Sequence, residues 1–193
     1  MVREALAAID IESIAEGFRV ADTMVKDARC DLLTCSPVTP GRFLIVVAGP
    51  VGEVESAYKR ALREARGVND EIFLPVVHPA LIEALALPDI PEDLDALGLF
   101  ETQSLSSCLA AADTAVKGST IRLLHVYLSR GIQGKGFILA EGSQDMVEAA
   151  CTLARRRAGE KWVNGVVIPR PHIDFMKRLR ERPWGWLAGQ EIL

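Results

Sequence analysis

Apolar and polar residues follow two alternating periods along this chain, and the whole succession of periods occurs twice. Residues 5–11 make an apolar run of strand length. Ile14, Phe18, Ala21, Val25 and Ala28 then recur at three- and four-residue steps, with Glu16, Arg19, Thr23 and Lys26 elsewhere. That spacing predicts a helix with one inward stripe, and Ser13 with Glu16 makes a capping-box pattern at its start. Residues 30–36 and 42–48 predict two strands joined by the turn formers Pro37 to Gly41, the second strand apolar enough to be central. Gly49-Pro50 opens a second helix with Val51, Val54, Tyr58, Ala61 and Ala65 inward. Residues 71–77 predict a strand and residues 78–87 a short helix.

Residues 88–95 are rich in proline and acids and are expected to divide the chain into domains at 1–94 and 95–193. The second part runs the same course: strand 97–102, helix 104–118, strand 120–128, loop 129–134, strand 135–141, helix 143–157, strand 163–168 and a basic helix 173–182. Each half is predicted as βαββαβα, an α+β fold of antiparallel sheet and helices related to the ferredoxin-like motif.

Side chains confirm that the halves are copies. Val20-Ala-Asp-Thr-Met-Val-Lys26 and Ala111-Ala-Asp-Thr-Ala-Val-Lys117 share five of seven residues at an offset of 91, and residues 9–33 share eight of twenty-five with residues 100–124. The offset grows to 93 past the hairpin loops and to 94 at Pro75-Val-Val-His78 against Pro169-Arg-Pro-His172. Surface loops tolerate such small insertions best.

Composition narrows the class. Hydrophobic residues make up 49% of 193 and mean hydropathy is +0.18, yet the longest apolar runs are strand-sized and cannot span a bilayer. Apolarity of that order in domains of roughly 95 residues predicts surface hidden against other subunits. No basic start followed by an apolar segment precedes Asp10 and Glu12, so no secretory signal is expected. A net charge of −4 argues against a nucleic-acid partner. Cys30, Cys35, Cys108 and Cys151 lack metal or disulfide spacing and are expected as reduced, buried thiols of a cytosolic protein.

Little in the chain suggests catalysis. His78 and His172 are repeat mates, for which a shared capping or interface role is expected, and His125 lies in an apolar strand. Asp10 and Glu101 are repeat-equivalent acids, expected to be structural. Gly131-Ile-Gln-Gly134 lacks the glycine spacing of a phosphate cradle. Arg155 to Arg157 close a helix, where cations complement the dipole.

The Asp-Thr-x-Val-Lys helix segments, the hairpin loops Pro40-Gly-Arg42 and Gly131-Ile-Gln-Gly-Lys135, and Ile168-Pro-Arg-Pro-His172 together resemble bacterial microcompartment shell proteins. The likeness covers both halves and is closest to the tandem-domain class in its unpermuted order, as in propanediol-utilisation compartments. It implies a non-enzymatic shell tile of the cytoplasmic compartment: a homotrimer shaped as a pseudohexagon, associated with other shell proteins, without nucleic acid or membrane. Thr39, Pro40, Gly41, Ile132, Gln133 and Gly134 would line a central pore for small-molecule permeants, with Arg42 and Lys135 nearby adding a positive field. Lys26, Lys117, Arg170 and His172 would lie at the tile edge. Val76 stands where the second half has Arg170. Propanediol-type members carry a pore-loop cysteine that binds an iron–sulfur cluster, and here Thr39 takes its place, so no metal or other cofactor is expected. The two alternatives are a tile with an axial cluster serving as a redox conduit, for which Cys35 is the nearest thiol, and a ferredoxin-like ligand-binding regulator. The extension from Phe175 to Leu193, with Trp184 and Trp186, matches nothing in that class.

Overall fold

The structure is a computed structural model, and it describes residues 3–26, 28–86, 90–128 and 132–181. Trp184 and Trp186 of the C-terminal extension lie outside the described residues.

The first half contains β1 (Ala5–Ile11), α1 (Ile14–Lys26), β2 (Asp31–Val38), β3 (Arg42–Gly49), α2 (Val51–Glu64), β4 (Val68–Leu74) and α3 (Pro79–Ala84). The second repeats the order with β5 (Ala96–Thr102), α4 (Leu105–Gly118), β6 (Arg122–Leu128), β7 (Gly136–Gly142), α5 (Gln144–Ala158), β8 (Trp162–Pro169) and α6 (Ile173–Arg180). A short 3₁₀ turn, Gly159–Lys161, leads into β8. Each half has one antiparallel four-stranded sheet, in the orders β2-β3-β1-β4 and β6-β7-β5-β8. The expected βαββαβα order holds in both, with β4 beginning three residues earlier than its apolar run suggested.

Every residue of β1 is buried, because both faces of the first sheet are covered. One face takes Ala5, Ala7, Ile9 and Ile11 against α1 and α2. The other, with Leu6, Ala8, Leu44, Val46 and Leu74, shares a cluster with Leu105 and Leu109 of α4, so the core crosses from one half into the other. In the second half, Leu97, Leu124 and Leu139 are covered by Met176 and Leu179 of α6.

The inward stripe of α1 differs from the expected one. Gly17, Val20, Ala21 and Met24 are buried, while Ile14 and Phe18 are exposed. Gly17 faces the sheet because Phe43 fills the space beneath it: a Cβ there would lie 2.3 Å from the Phe43 ring. Helix α1 therefore has two apolar faces, and the structure of one chain uses only one of them.

Candidate functional site: the hairpin loops and the junction between repeats

The two hairpin loops expected to form a pore lie side by side. Thr39-Pro40 is a cis peptide and Gly41 has φ +110°, which turns β2 into β3. In the loop before β7, Gln133 (φ +54°) and Gly134 (φ +87°) sit in the left-handed region, where glycine carries no Cβ penalty. Arg42, the first residue of β3, reaches across to this loop: a Cβ on Gly134 would lie 2.1 Å from its Nη2. Pro40, Gly41 and Gln133 are exposed, Thr39 and Ile132 half-buried, and Gly134 is buried beneath the Arg42 guanidinium.

Asp10 anchors that guanidinium. Its Oδ2 lies 3.2 Å from Arg42 Nε, an ion-pair distance, but the angle is not that of a hydrogen bond, which leaves Arg42 Nε and Asp10 Oδ1 without one. Asn69 Nδ2 donates to Asp10 Oδ2 at 2.9 Å. Asp10 is only 1% exposed, and burial raises its carboxyl above the ordinary value although Arg42 and Asn69 pull it down. In the second half Lys135 Nζ pairs with Glu101 Oε1 at 2.7 Å. The expected positive field from Arg42 and Lys135 is thus corrected: each cation stands in direct ion-pair contact with a carboxylate, at 3.2 and 2.7 Å, and such a pair largely cancels at longer range. Asp10 and Glu101 take the structural role expected of them.

The junction between halves is held by the motif that repeats. Asp113 is buried and accepts from the His78 backbone N–H through Oδ1 at 2.8 Å. Its Oδ2 holds Lys117 Nζ at 2.5 Å, and the same ammonium donates to the Val76 carbonyl at 2.5 Å. Asp70 on β4 accepts from the Ser106 N–H at 2.9 Å and the Ser106 hydroxyl at 2.6 Å, capping α4 from the other half. His125 Nδ1 donates to the Ala84 carbonyl at 3.1 Å. Between these bonds, Leu105 (2% exposed) and Leu109 (0%) pack with Leu74, Val77 and Leu81.

The matching face of α1 looks outward. Ile14 and Phe18, repeat mates of Leu105 and Leu109, are 38% and 58% exposed. Asp22 pairs with Lys26 at 2.5 Å as Asp113 does with Lys117, but out in solvent. Arg170 donates its backbone N–H to Asp95 at 2.7 Å and leaves its side chain exposed. His78 and His172 both cap the following helix through Nδ1, each accepting a backbone N–H at 3.2 Å, as their repeat equivalence led us to expect. Of the capping box, Ser13 Oγ accepts from the Glu16 N–H, whereas the Glu16 carboxylate turns to Arg19 and the Arg66 N–H.

Asp70, Ser106 and Asp113 were missed as functional residues. Asp113 carried a signal, being an invariant member of the repeated heptapeptide, but Asp70 and Ser106 differ from their repeat mates and carried none. The loops do not fit an iron–sulfur cluster, which wants soft thiolate donors: Thr39 offers a hydroxyl. Cys35 sits in β2 opposite Ile45 and packs against the α1–α2 core. Of the four thiols expected to be buried only Cys108 is, and Cys30, Cys35 and Cys151 are half-buried; desolvation raises all four, Cys108 up to about 12. Among the described residues no group of three or more His, Cys, Asp or Glu gathers as a metal site, and no helix is long and apolar enough to cross a membrane.

Comparison with known proteins accounts for this duplicated architecture. The BMC domain matches twice, over residues 5–78 and 96–171. The bacterial microcompartment shell protein PduT of Citrobacter freundii is 34% identical over 181 residues, covering 92% of this chain and 98% of that protein. The shell protein PduA of the same organism is 38% identical over 89 residues, 44% of this chain and 91% of its own length, so one such chain corresponds to about one half here. A crystal structure of a microcompartment protein from Desulfitobacterium hafniense superposes with a TM-score of 0.84 at 36% identity, covering 92% of this chain and 99% of that one. With two matched domains, a full-length relative and a full-length structural neighbour, this chain belongs to the BMC domain family of bacterial microcompartment shell proteins, in its tandem form.

Proposed function

We propose that this chain is a non-enzymatic building tile of a microcompartment shell, that three copies close a ring of six BMC domains, and that the hairpin loops meet at the ring's axis as a pore for small molecules. The observation that carries the proposal is the unequal burial of equivalent residues. The α4 face is buried by the first half of its own chain, whereas on the same face of α1 Ile14 and Phe18 stay exposed among the described residues. A face-to-sheet contact that joins unlike surfaces is heterologous, and repeating it closes a ring when the rotation allows. If one contact inside the chain relates domains by about a sixth of a turn, three chains complete the circle, with α1 of each covered by the second-half sheet of the next.

In that ring Ile14 and Phe18 lose the 38% and 58% of their surface still exposed, which is worth a fraction of the about 1.5–3 kcal/mol that full burial of such a side chain contributes. Thr39, Pro40 and Gly41 alternate around the axis with Ile132, Gln133 and Gly134. Lys26, Lys117, Arg170 and His172 lie toward the rim, where the tile meets other shell proteins in a compartment within the cytoplasm. The domain division between residues 94 and 95 lets each half keep its own sheet. Electron microscopy of the purified protein tests this reading. Threefold particles with a central opening, extending into sheets at high concentration, are expected. Particles the size of a single chain under all conditions would contradict it.

A further inference from the structure

The contact between halves differs in charge from the contact it predicts between chains. Within the chain, Asp70 caps the start of α4 through Ser106. Asp70 lies opposite Asp10 in the first sheet, and Asn164 lies opposite Glu101 in the second, so Asn164 is its register equivalent. The second sheet therefore presents an exposed amide where the first presents a carboxylate.

The two helix starts differ in the complementary sense. Gln103, Ser104, Ser106 and Ser107 surround the start of α4, and the matching positions at α1 are Glu12, Ser13, Ala15 and Glu16. Glu64 adds a third acid there, held by Arg60 at 2.9 Å, and the cations Arg19 and Arg66 also face these acids. A carboxylate brought to α1 would meet Glu12 and Glu16 and find no hydroxyl at Ala15. A carboxamide suits both: its oxygen accepts from the Ala15 N–H, and its NH2 group donates to a carboxylate.

Resting on the three-chain reading, we infer that Asn164 of one chain docks at the start of α1 of another, and that the Asp70–Asn164 difference fixes the order of halves. The free α1 face accepts the second-half sheet of another copy and rejects the first-half sheet. The rejection has a use. When a junction opens, α1 of a second chain could otherwise replace α4 on the first-half sheet and start an assembly with the wrong alternation, and like charges at that contact oppose it.

The test compares the full-length chain with Asn164→Asp, Asn164→Ser and Asn164→Asp combined with Glu12→Gln. Trimer dissociation constants come from concentration-dependent sedimentation, with circular dichroism confirming the fold. Asn164→Asp is expected to weaken association at least tenfold, Asn164→Ser by no more than about threefold, and the added Glu12→Gln to recover most of the loss. Equal association of Asn164→Asp and wild type would overturn the inference, as would equal losses in the Asp and Ser variants. A wild type that never forms trimers would instead remove the three-chain reading itself.

Discussion

Helices α1 and α4 share their Asp-Thr-x-Val-Lys segment and their place in the fold, yet one is a surface helix and the other part of a core. Asp22 and Asp113 each hold a lysine four residues on at 2.5 Å. Only Asp113 also accepts a backbone N–H, from His78, and only Lys117 reaches a carbonyl, that of Val76. The difference lies in what stands opposite. For α4 it is the first half of the same chain, and for α1 no second sheet stands there among the described residues. On the three-chain proposal, the partnered copy is the template for what covers the unpartnered one.

The comparison breaks most sharply at the repeat mates Leu109 and Phe18. Leu109→Asp buries an unpaired carboxylate in the shared core and is expected to cost more than about 4 kcal/mol, enough to unfold much of the chain. Phe18→Asp, at the same helical position, is expected to lower the stability of the single chain by about 1 kcal/mol, losing its contact with the Phe43 ring at 4.7 Å. Its main effect is expected on association, if three chains close the proposed ring. Urea titrations of both variants check this pair, and similar losses of stability would erase the distinction.

A second difference is an exchange of bulk. Gly17 lies against Phe43, and in the second half Cys108 lies against Gly136, whose added Cβ would stand 2.7 Å from the Cys108 Sγ. The large group sits on the strand in one half and on the helix in the other. Gly17→Cys alone is expected to cost about 3 kcal/mol by overpacking, and Gly17→Cys with Phe43→Gly to recover part of it. Additive losses on thermal unfolding would show that the two positions do not compensate.

Smaller effects sharpen the junction. Asp113→Ala leaves the His78 N–H and the Lys117 ammonium without their acceptor and is expected to destabilise the chain by about 2 kcal/mol. Asp22→Ala removes only an exposed pair and is expected to change chain stability by about 0.5 kcal/mol or less. Equal shifts in melting temperature would mean that Asp113 does no more than its mate.

The pattern of hydrophobic positions disclosed the repeat, the element order and both hairpin loops, because period and turn chemistry are local. It did not disclose which stripe of α1 faces inward. Ile14 and Phe18 are as apolar as Val20 and Met24, and only the bulk of Phe43 under Gly17 selects between the two faces. Nor did it show that Asp10 and Glu101 neutralise Arg42 and Lys135, since those pairs are distant in sequence and meet only through the register of β1 with β3 and β5 with β7. The role of Asp113 was legible in outline as a repeated residue, whereas the cap from Asp70 to Ser106 depends on packing between halves.

The smallest effect concerns acid. Glu16 is held down to about 2 by Arg19 and the Arg66 N–H, from an ordinary value of 4.5, and its mate in α4 is Ser107. Because the folded state prefers the charged form, the Glu16 contribution is complete above the ordinary value and is lost as pH falls from about 4.5 to about 2. Glu16→Gln is expected to flatten that part of the stability profile, read as the midpoint of urea unfolding against pH. An unchanged profile would remove Glu16 from the acid response.

The mass of the native particle tests the central claim, that a chain repeats between copies the contact it makes within itself. Three chains of 21.0 kDa predict 63.0 kDa by light scattering at micromolar concentration, falling to 21.0 kDa in Phe18→Asp with the fold retained. A wild-type particle of 21.0 kDa, or a Phe18→Asp particle that keeps 63.0 kDa, would contradict it.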